Sequence, residues 1–271
     1  MIYFWGVCVL FFTSTFSLMG ETHIDWVEAR GRGMGGATLA LSSQHNPSSL
    51  LFLGEKVRIN LSYENRYGMK EFSTFNLGGD LKIHSLRAGA QFSYFGYEKY
   101  NEFASRFYAS CKVHPQIGLS VRVQYIHLYY SRAEGGDGFL SADMFGTWKC
   151  SEKVWCALGV YSLAKTELNK ESNSYSMLPF KLGIGVSYLI TQELIVCLQV
   201  MGEENEKITF CGGGEYIFQE KFSFRLGFES NPLKPTFGIG YRCNSSLRID
   251  FAVDYHNTLG LSPTLGGVYC F

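Results

Sequence analysis

Four sets of residues in this chain have types that could do chemistry. Gly31, Gly33 and Gly36 match G-x-G-x-x-G, the spacing at which backbone amides cradle a pyrophosphate at the start of a helix. That use needs a strand before the first glycine, a βαβ unit around it and an acidic residue about 20 positions later. None of these can be read here, so the glycines are read as sites of close backbone packing. The six histidines are scattered, with His84 and His114 in short turns, His127 in a strand and His256 opening a loop. No Ser/His/Asp set, paired-carboxylate motif, Walker loop or His-x-x-x-His pattern is present, so neither an enzyme nor a metal or other cofactor is expected. Of the eight cysteines, Cys111, Cys197, Cys211 and Cys270 fall in strand-like runs and none forms a CxxC. They read as small wall-filling residues. Cys150 and Cys156 flank a tight turn and could face each other across a hairpin, although the wall-filling reading is favoured there too.

The fourth set is the charges. Arg58, Glu64, Arg87, Arg106, Arg122, Lys181, Glu215, Arg225, Glu229, Arg248 and Asp250 each sit on the polar face of an alternating segment. Both signs occur, and an unpaired buried charge is costly, so they are read as an inward-pointing network. A lumenal solute path is the alternative.

The elements that carry these charges are strands. Phe222, Phe224, Leu226 and Phe228 alternate with Ser223, Arg225, Gly227 and Glu229, and Leu247, Ile249, Phe251, Val253 and Tyr255 with Arg248, Asp250, Ala252 and Asp254. A period of two places one apolar and one polar face on each segment. Strands are expected near 57–66, 73–83, 85–96, 103–113, 116–130, 139–149, 153–163, 178–189, 193–202, 207–217, 222–230, 235–242, 246–255 and 263–271. The even count of fourteen, at lengths that cross a hydrocarbon core when tilted, suits a single-chain membrane barrel. Connections after odd-numbered strands read as long, including Tyr67–Phe72, Tyr97–Glu102 and Ala164–Met177. Those after even-numbered strands read as short. Rings at strand ends (Tyr63, Phe95, Tyr97, Tyr125, Tyr129, Tyr130, Tyr188, Tyr241, Tyr255) are assigned to interfacial girdles. The fold class is therefore all-β, a 14-stranded antiparallel transmembrane β-barrel.

Composition agrees without deciding. Lys+Arg and Asp+Glu are 24 each, which excludes the basic footprint of a nucleic-acid binder. No apolar run is long enough for a membrane helix, and Ile2–Phe12 has the length of a signal-peptide core, so residues 1–20 read as a signal peptide. Residues 21–56 are Gly-rich and then turn-rich, unlike the strands of 57–271 that follow.

The segments Ala29-Arg30-Gly31-Arg32-Gly33-Met34-Gly35-Gly36-Ala37 and His45-Asn46-Pro47-Ser48-Ser49-Leu50 resemble the Gly-rich opening and Asn-Pro-Ala-Gly-Leu element of FadL-like outer-membrane proteins. Among these they are most similar to the PorV-like branch of Bacteroidetes-type bacteria. Ser48-Ser49 depart from Ala-Gly. The resemblance implies that residues 21–56 enter the lumen as a hatch through Gly33, Gly35, Gly36, Asn46 and Pro47. It implies a bacterial outer-membrane location, membrane lipid as a neighbour, and transport of small hydrophobic solutes. The alternative it carries is a non-transporting partner of type IX secretion or surface-assembly proteins.

Overall fold

A computed structural model describes residues 24–131, 135–169, 178–204 and 206–271; the expected signal peptide lies outside them. Fourteen strands run β1 Val57–Asn65, β2 Ser73–Ile83, β3 Leu86–Tyr97, β4 Tyr100–His114, β5 Ile117–Tyr130, β6 Gly135–Lys149, β7 Val154–Asn169, β8 Lys181–Leu189, β9 Leu194–Glu203, β10 Thr209–Phe218, β11 Phe222–Glu229, β12 Lys234–Arg242, β13 Leu247–His256 and β14 Gly260–Cys270. Each pairs antiparallel with its sequence neighbours, and β1 pairs with β14 to close the barrel. Closure extends to the final residue: Val57 N–H donates to the Phe271 carbonyl at 2.8 Å, and Phe271 N–H to the Val57 carbonyl at 3.0 Å.

Alternation decides which way each side chain points. In β1, Ile59, Leu61 and Tyr63 are exposed while Asn60, Ser62 and Glu64 are buried; in β11, Phe222, Phe224, Leu226 and Phe228 are exposed while Ser223 and Arg225 are buried. An aqueous surface would not carry so continuous an apolar coat, and a hydrocarbon one requires it. No helix among the described residues is long and apolar enough to cross a membrane; the apolar coat belongs to the strands.

The connections sort onto two ends. Six turns (84–85, 115–116, 150–153, 190–193, 219–221 and 243–246) lie at one end with Val57 and Phe271; we call it the turn end and the opposite one the loop end. Positive φ at Gln219 and Glu220 (52° and 57°) marks the β10–β11 turn as one whose backbone matches strand twist. The expected alternation of long and short connections is not strict. Pairing of β3 with β4 continues to Tyr97↔Tyr100, leaving only residues 98–99 where a long loop was expected. Likewise β7 runs on through Asn169, so most of the expected 164–177 loop is strand or lies outside the described residues. In both places polar residues continue a strand beyond the lipid, where polar outer faces cost nothing.

One ring assigned to the outer girdle faces inward. Phe95 is 1% exposed and shares a face with Gln91 and Ser93. It packs with Ala104, Ile126, Leu128, Phe139 and Leu178 around Ile24 of the N-terminal segment. Period two, not residue type, sets its direction. Tyr63, Tyr129, Tyr188, Tyr241 and Tyr255, on the outward parity of their strands, do face out, and Tyr97 is exposed at the loop-end tip of β3.

Leu226 lies midway along β11 and is 68% exposed. Replacing it with Arg should lower stability in bilayer vesicles by about 2–4 kcal/mol, as expected for a lipid-facing midplane site. Denaturant unfolding in vesicles checks this; an unchanged midpoint would mean that this face does not meet lipid.

Candidate functional site

Residues 24–56 descend through the lumen from the loop end to the turn end, and inward glycines of the wall make room for them. A Cβ added to Gly213 would lie 2.5 Å from the Met34 carbonyl oxygen, and one at Gly183 would lie 2.6 Å from Leu39. Gly78 stands against Trp26, and Gly118 against Leu51, in the same way. Gly35 itself has φ +66° and abuts the backbone of Phe228 and Gly212, so both its conformation and its surroundings exclude a side chain. Gly33 approaches Gly238, whereas Gly36 has ordinary clearance from Cys211 and Glu229 and is set apart by φ +78°. The G-x-G-x-x-G pattern is thus spent on a short helix, α1 Ala29–Gly33, and the bend after it, pressed against β10–β13.

Lower down, Asn46 caps a 3₁₀ turn, Pro47–Phe52. Its Oδ1 accepts from Ser48 N–H at 3.1 Å and Ser48 Oγ at 2.7 Å, while Nδ2 donates to the Leu39 carbonyl at 2.6 Å and Thr147 Oγ1 at 3.0 Å. Pro47 at the first helical position has no N–H to leave unsatisfied. Ser48 and Ser49, which depart from Ala-Gly, are fully buried and hydrogen-bonded: Ser48 Oγ lies 2.7 Å from Thr147 Oγ1, and Ser49 Oγ donates to the Asn46 carbonyl at 2.7 Å.

The charges form separate groups rather than one mesh. The largest runs Arg30–Glu215–Arg225–Asp250–Arg248, with contacts of 2.5, 2.7, 2.8 and 2.7 Å. Glu215 and Arg225 are register partners on β10 and β11. Arg225 reaches across β12 to Asp250 because position 240 is glycine: a Cβ there would lie 2.5 Å from the carboxylate. A second group joins Arg32 and Arg66 to Glu64, each at 2.8 Å. Arg58 lies 3.8 Å from Glu28, Arg122 pairs with Asp143 at 2.8 Å, Arg87 with Asp80, and Glu229 with Lys234 at 3.1 Å. Arg106 is hydrogen-bonded to the neutral groups Gln124, Ser93 and the Ile24 carbonyl. Sequence reading did not anticipate Glu28, Arg30 and Arg32 as pairing partners. Asp80 and Asp143 were legible, since they share the inward parity of Asn76, Gly78 and Ser141.

Beside and above the segment lie two neighbouring spaces that share part of their lining. A vestibule of about 1040 Å³ at the loop end is lined by charges of both signs, among them Asp25, Arg32, Glu64, Lys181, Glu229 and Asp254. Below it, a cavity of about 260 Å³ shares Asp25, Lys181 and Glu229, and adds an apolar wall of Ile24, Trp26, Ile126, Tyr161, Leu178 and Met201. Asp25 lines both spaces yet is enclosed by the wall. Burial pushes its carboxyl up, but Lys181, Arg66, His45 and Arg106 together outweigh burial and hold it at about 2. Burial, reinforced by Arg122, pushes His45 down to about 4, so its ring is neutral at pH 7 and belongs with the apolar wall. No group of metal-ligating side chains occurs among the described residues.

No family model and no curated protein matches the sequence. Solved structures do match the fold. The toluene transporter TbuX of Ralstonia pickettii superposes with TM-score 0.65 at 12% identity, over 92% of this chain and 98% of that one. The monoaromatic hydrocarbon channel CymD gives 0.67 at 12%, over 89% and 96%. The toluene transporter TodX of Pseudomonas putida gives 0.66 at 10%, over 91% and 98%. The chain thus shares the fold of these barrels over nearly its whole length, at very low sequence identity.

Glu215 answers both Arg30 of the segment and Arg225 of the wall. Glu215→Ala should cost about 3–5 kcal/mol, the penalty for leaving buried cations unpaired, and should expose residues 24–56 to protease while the barrel still shifts on a heat-modifiability gel. Unaltered protection of the segment would show that the pair does not hold it.

Proposed function

We propose that this chain is an outer-membrane channel for a small solute with an apolar body. The solute enters at the loop end, passes the polar vestibule into the inner cavity, and leaves past residues 21–56, which act as the hatch. Residues 1–20 would be removed as a signal peptide, and 57–271 form the channel wall. The observation that carries the reading is the inner cavity: a space of about 260 Å³ with one apolar side, held between Ile24 and Trp26 of the segment and Ile126, Leu178 and Met201 of the wall or its loop. Ile24, Ile126 and Leu178 pack into one cluster, and beside that cluster, Trp26 and Met201 the space stays open. The space suits a single ring or short chain, the class of solute for which the toluene transporter and monoaromatic hydrocarbon channel sharing this fold are named, and it agrees with the FadL-like resemblance of the N-terminal segment. The neighbouring charges would orient a polar substituent.

Toluene uptake by intact cells with an outer membrane tests this, since the lipopolysaccharide leaflet is the barrier such a channel would bypass. Cells making the full chain should take up toluene faster than cells without it, and Ile126→Trp, which fills the cavity, should return uptake to the background rate. Equal uptake with and without the folded barrel would overturn the transport reading and favour a partner role, to be sought by co-purification with secretion or surface-assembly proteins.

A further inference from the structure

Cys150 and Cys156 lie on either side of the β6–β7 turn at the turn end, with Sγ atoms 3.4 Å apart. The hairpin fixes them there. Trp148 pairs with Cys156 and Lys149 with Trp155, and Ser151 N–H closes the turn on the Val154 carbonyl at 3.2 Å. Both thiols are half-buried, not sealed in the wall as Cys197 and Cys211 are. Between them Trp155 points inward and takes the edge of Phe52, the last residue of the 3₁₀ turn, at 5.3 Å between ring centres.

We propose that Cys150 and Cys156 form a disulfide that clips the β6–β7 turn behind the contact between Trp155 and Phe52. Two sulfurs 3.4 Å apart across one short turn are near enough for a small adjustment of the turn to bring them to bonding distance. In the orientation proposed above, the turn end faces the periplasm, where disulfides form and persist. The oxidant is a protein or small-molecule disulfide of that compartment. One cysteine thiolate attacks a sulfur of the oxidant and expels a thiolate, giving a mixed disulfide. The second cysteine thiolate then attacks the cysteine sulfur of that bond and expels the other half of the oxidant. Two electrons and two protons pass from the cysteine pair to the oxidant, which leaves as two thiols.

The full-length protein, isolated from membranes without reductant, would be denatured in a maleimide reagent, digested and weighed. Cys150 and Cys156 should appear in one unmodified linked species, lighter by two hydrogens than after reduction, while Cys197 and Cys211 carry maleimide. In Cys156→Ser, Cys150 should become modified. Maleimide on both Cys150 and Cys156 of the wild type would overturn the proposal. So would a Cys150 that stays unmodified in Cys156→Ser, since its partner would then be another cysteine. The readout is covalent, so it does not depend on which solute the barrel carries.

Discussion

A strand in hydrocarbon cannot leave its backbone amides and carbonyls unpaired, and everything else in this molecule depends on meeting that requirement. An open sheet would expose two edges, so the ladder must return on itself, and it does so through seven register pairs between β1 and β14 and the final Val57–Phe271 pair. Closure at fourteen strands has a consequence. Eight strands make a barrel narrow enough for wall side chains to fill, whereas sixteen or more leave a channel. Fourteen leave a lumen that inward side chains cannot fill, and residues 24–56 occupy part of it.

Two kinds of contact hold that segment, and they act differently. Met34, Leu39, Leu41, Leu50 and Leu51 are each at most 2% exposed, and burying such a side chain contributes about 1.5–3 kcal/mol. A buried ion pair is often worth no more than a packed apolar pair, although breaking one is expensive. The apolar contacts and glycine sockets therefore supply the attraction. The pairs Arg30–Glu215, Arg32–Glu64 and Glu28–Arg58 set where along the wall the segment can sit, because any shift strands several charges at once. What the segment does not fill, beside Ile24 and Trp26, is the cavity on which the transport reading rests.

Much of this was legible from period two alone: the strand count, the lipid-facing coat and the inward direction of Arg58, Arg87 and Arg225. Residue type misled where it competed with period. Phe95 looks like a girdle ring, but its register with Gln91 and Ser93 turns it into the lumen. Turn-like composition at Tyr97–Glu102 suggested a loop, yet backbone pairing outlasts the lipid. The path of the N-terminal segment was written in the wall as well, because glycines on inward positions, such as Gly183 and Gly185 between Leu182, Ile184 and Val186, mark where no side chain fits. That signal could not be used without knowing what pressed against them. The cavity was not legible at all, since it depends on how Ile24 and Trp26 of the segment meet wall residues distant in sequence, such as Ile126 and Met201, and no local pattern encodes that.

The central claim is that the N-terminal segment threads the closed barrel, and one cross-link tests it directly. A Cβ placed at Gly266 on β14 would lie 3.2 Å from Cβ of Ala29 in α1, within reach of a disulfide after a small adjustment. In a background with the native cysteines replaced, Ala29→Cys with Gly266→Cys should join on mild oxidation of the membrane-embedded, heat-modifiable protein, and the two peptides should be recovered linked. A barrel that still shifts on heating, with both cysteines free after oxidation, would place residue 29 elsewhere and contradict the account.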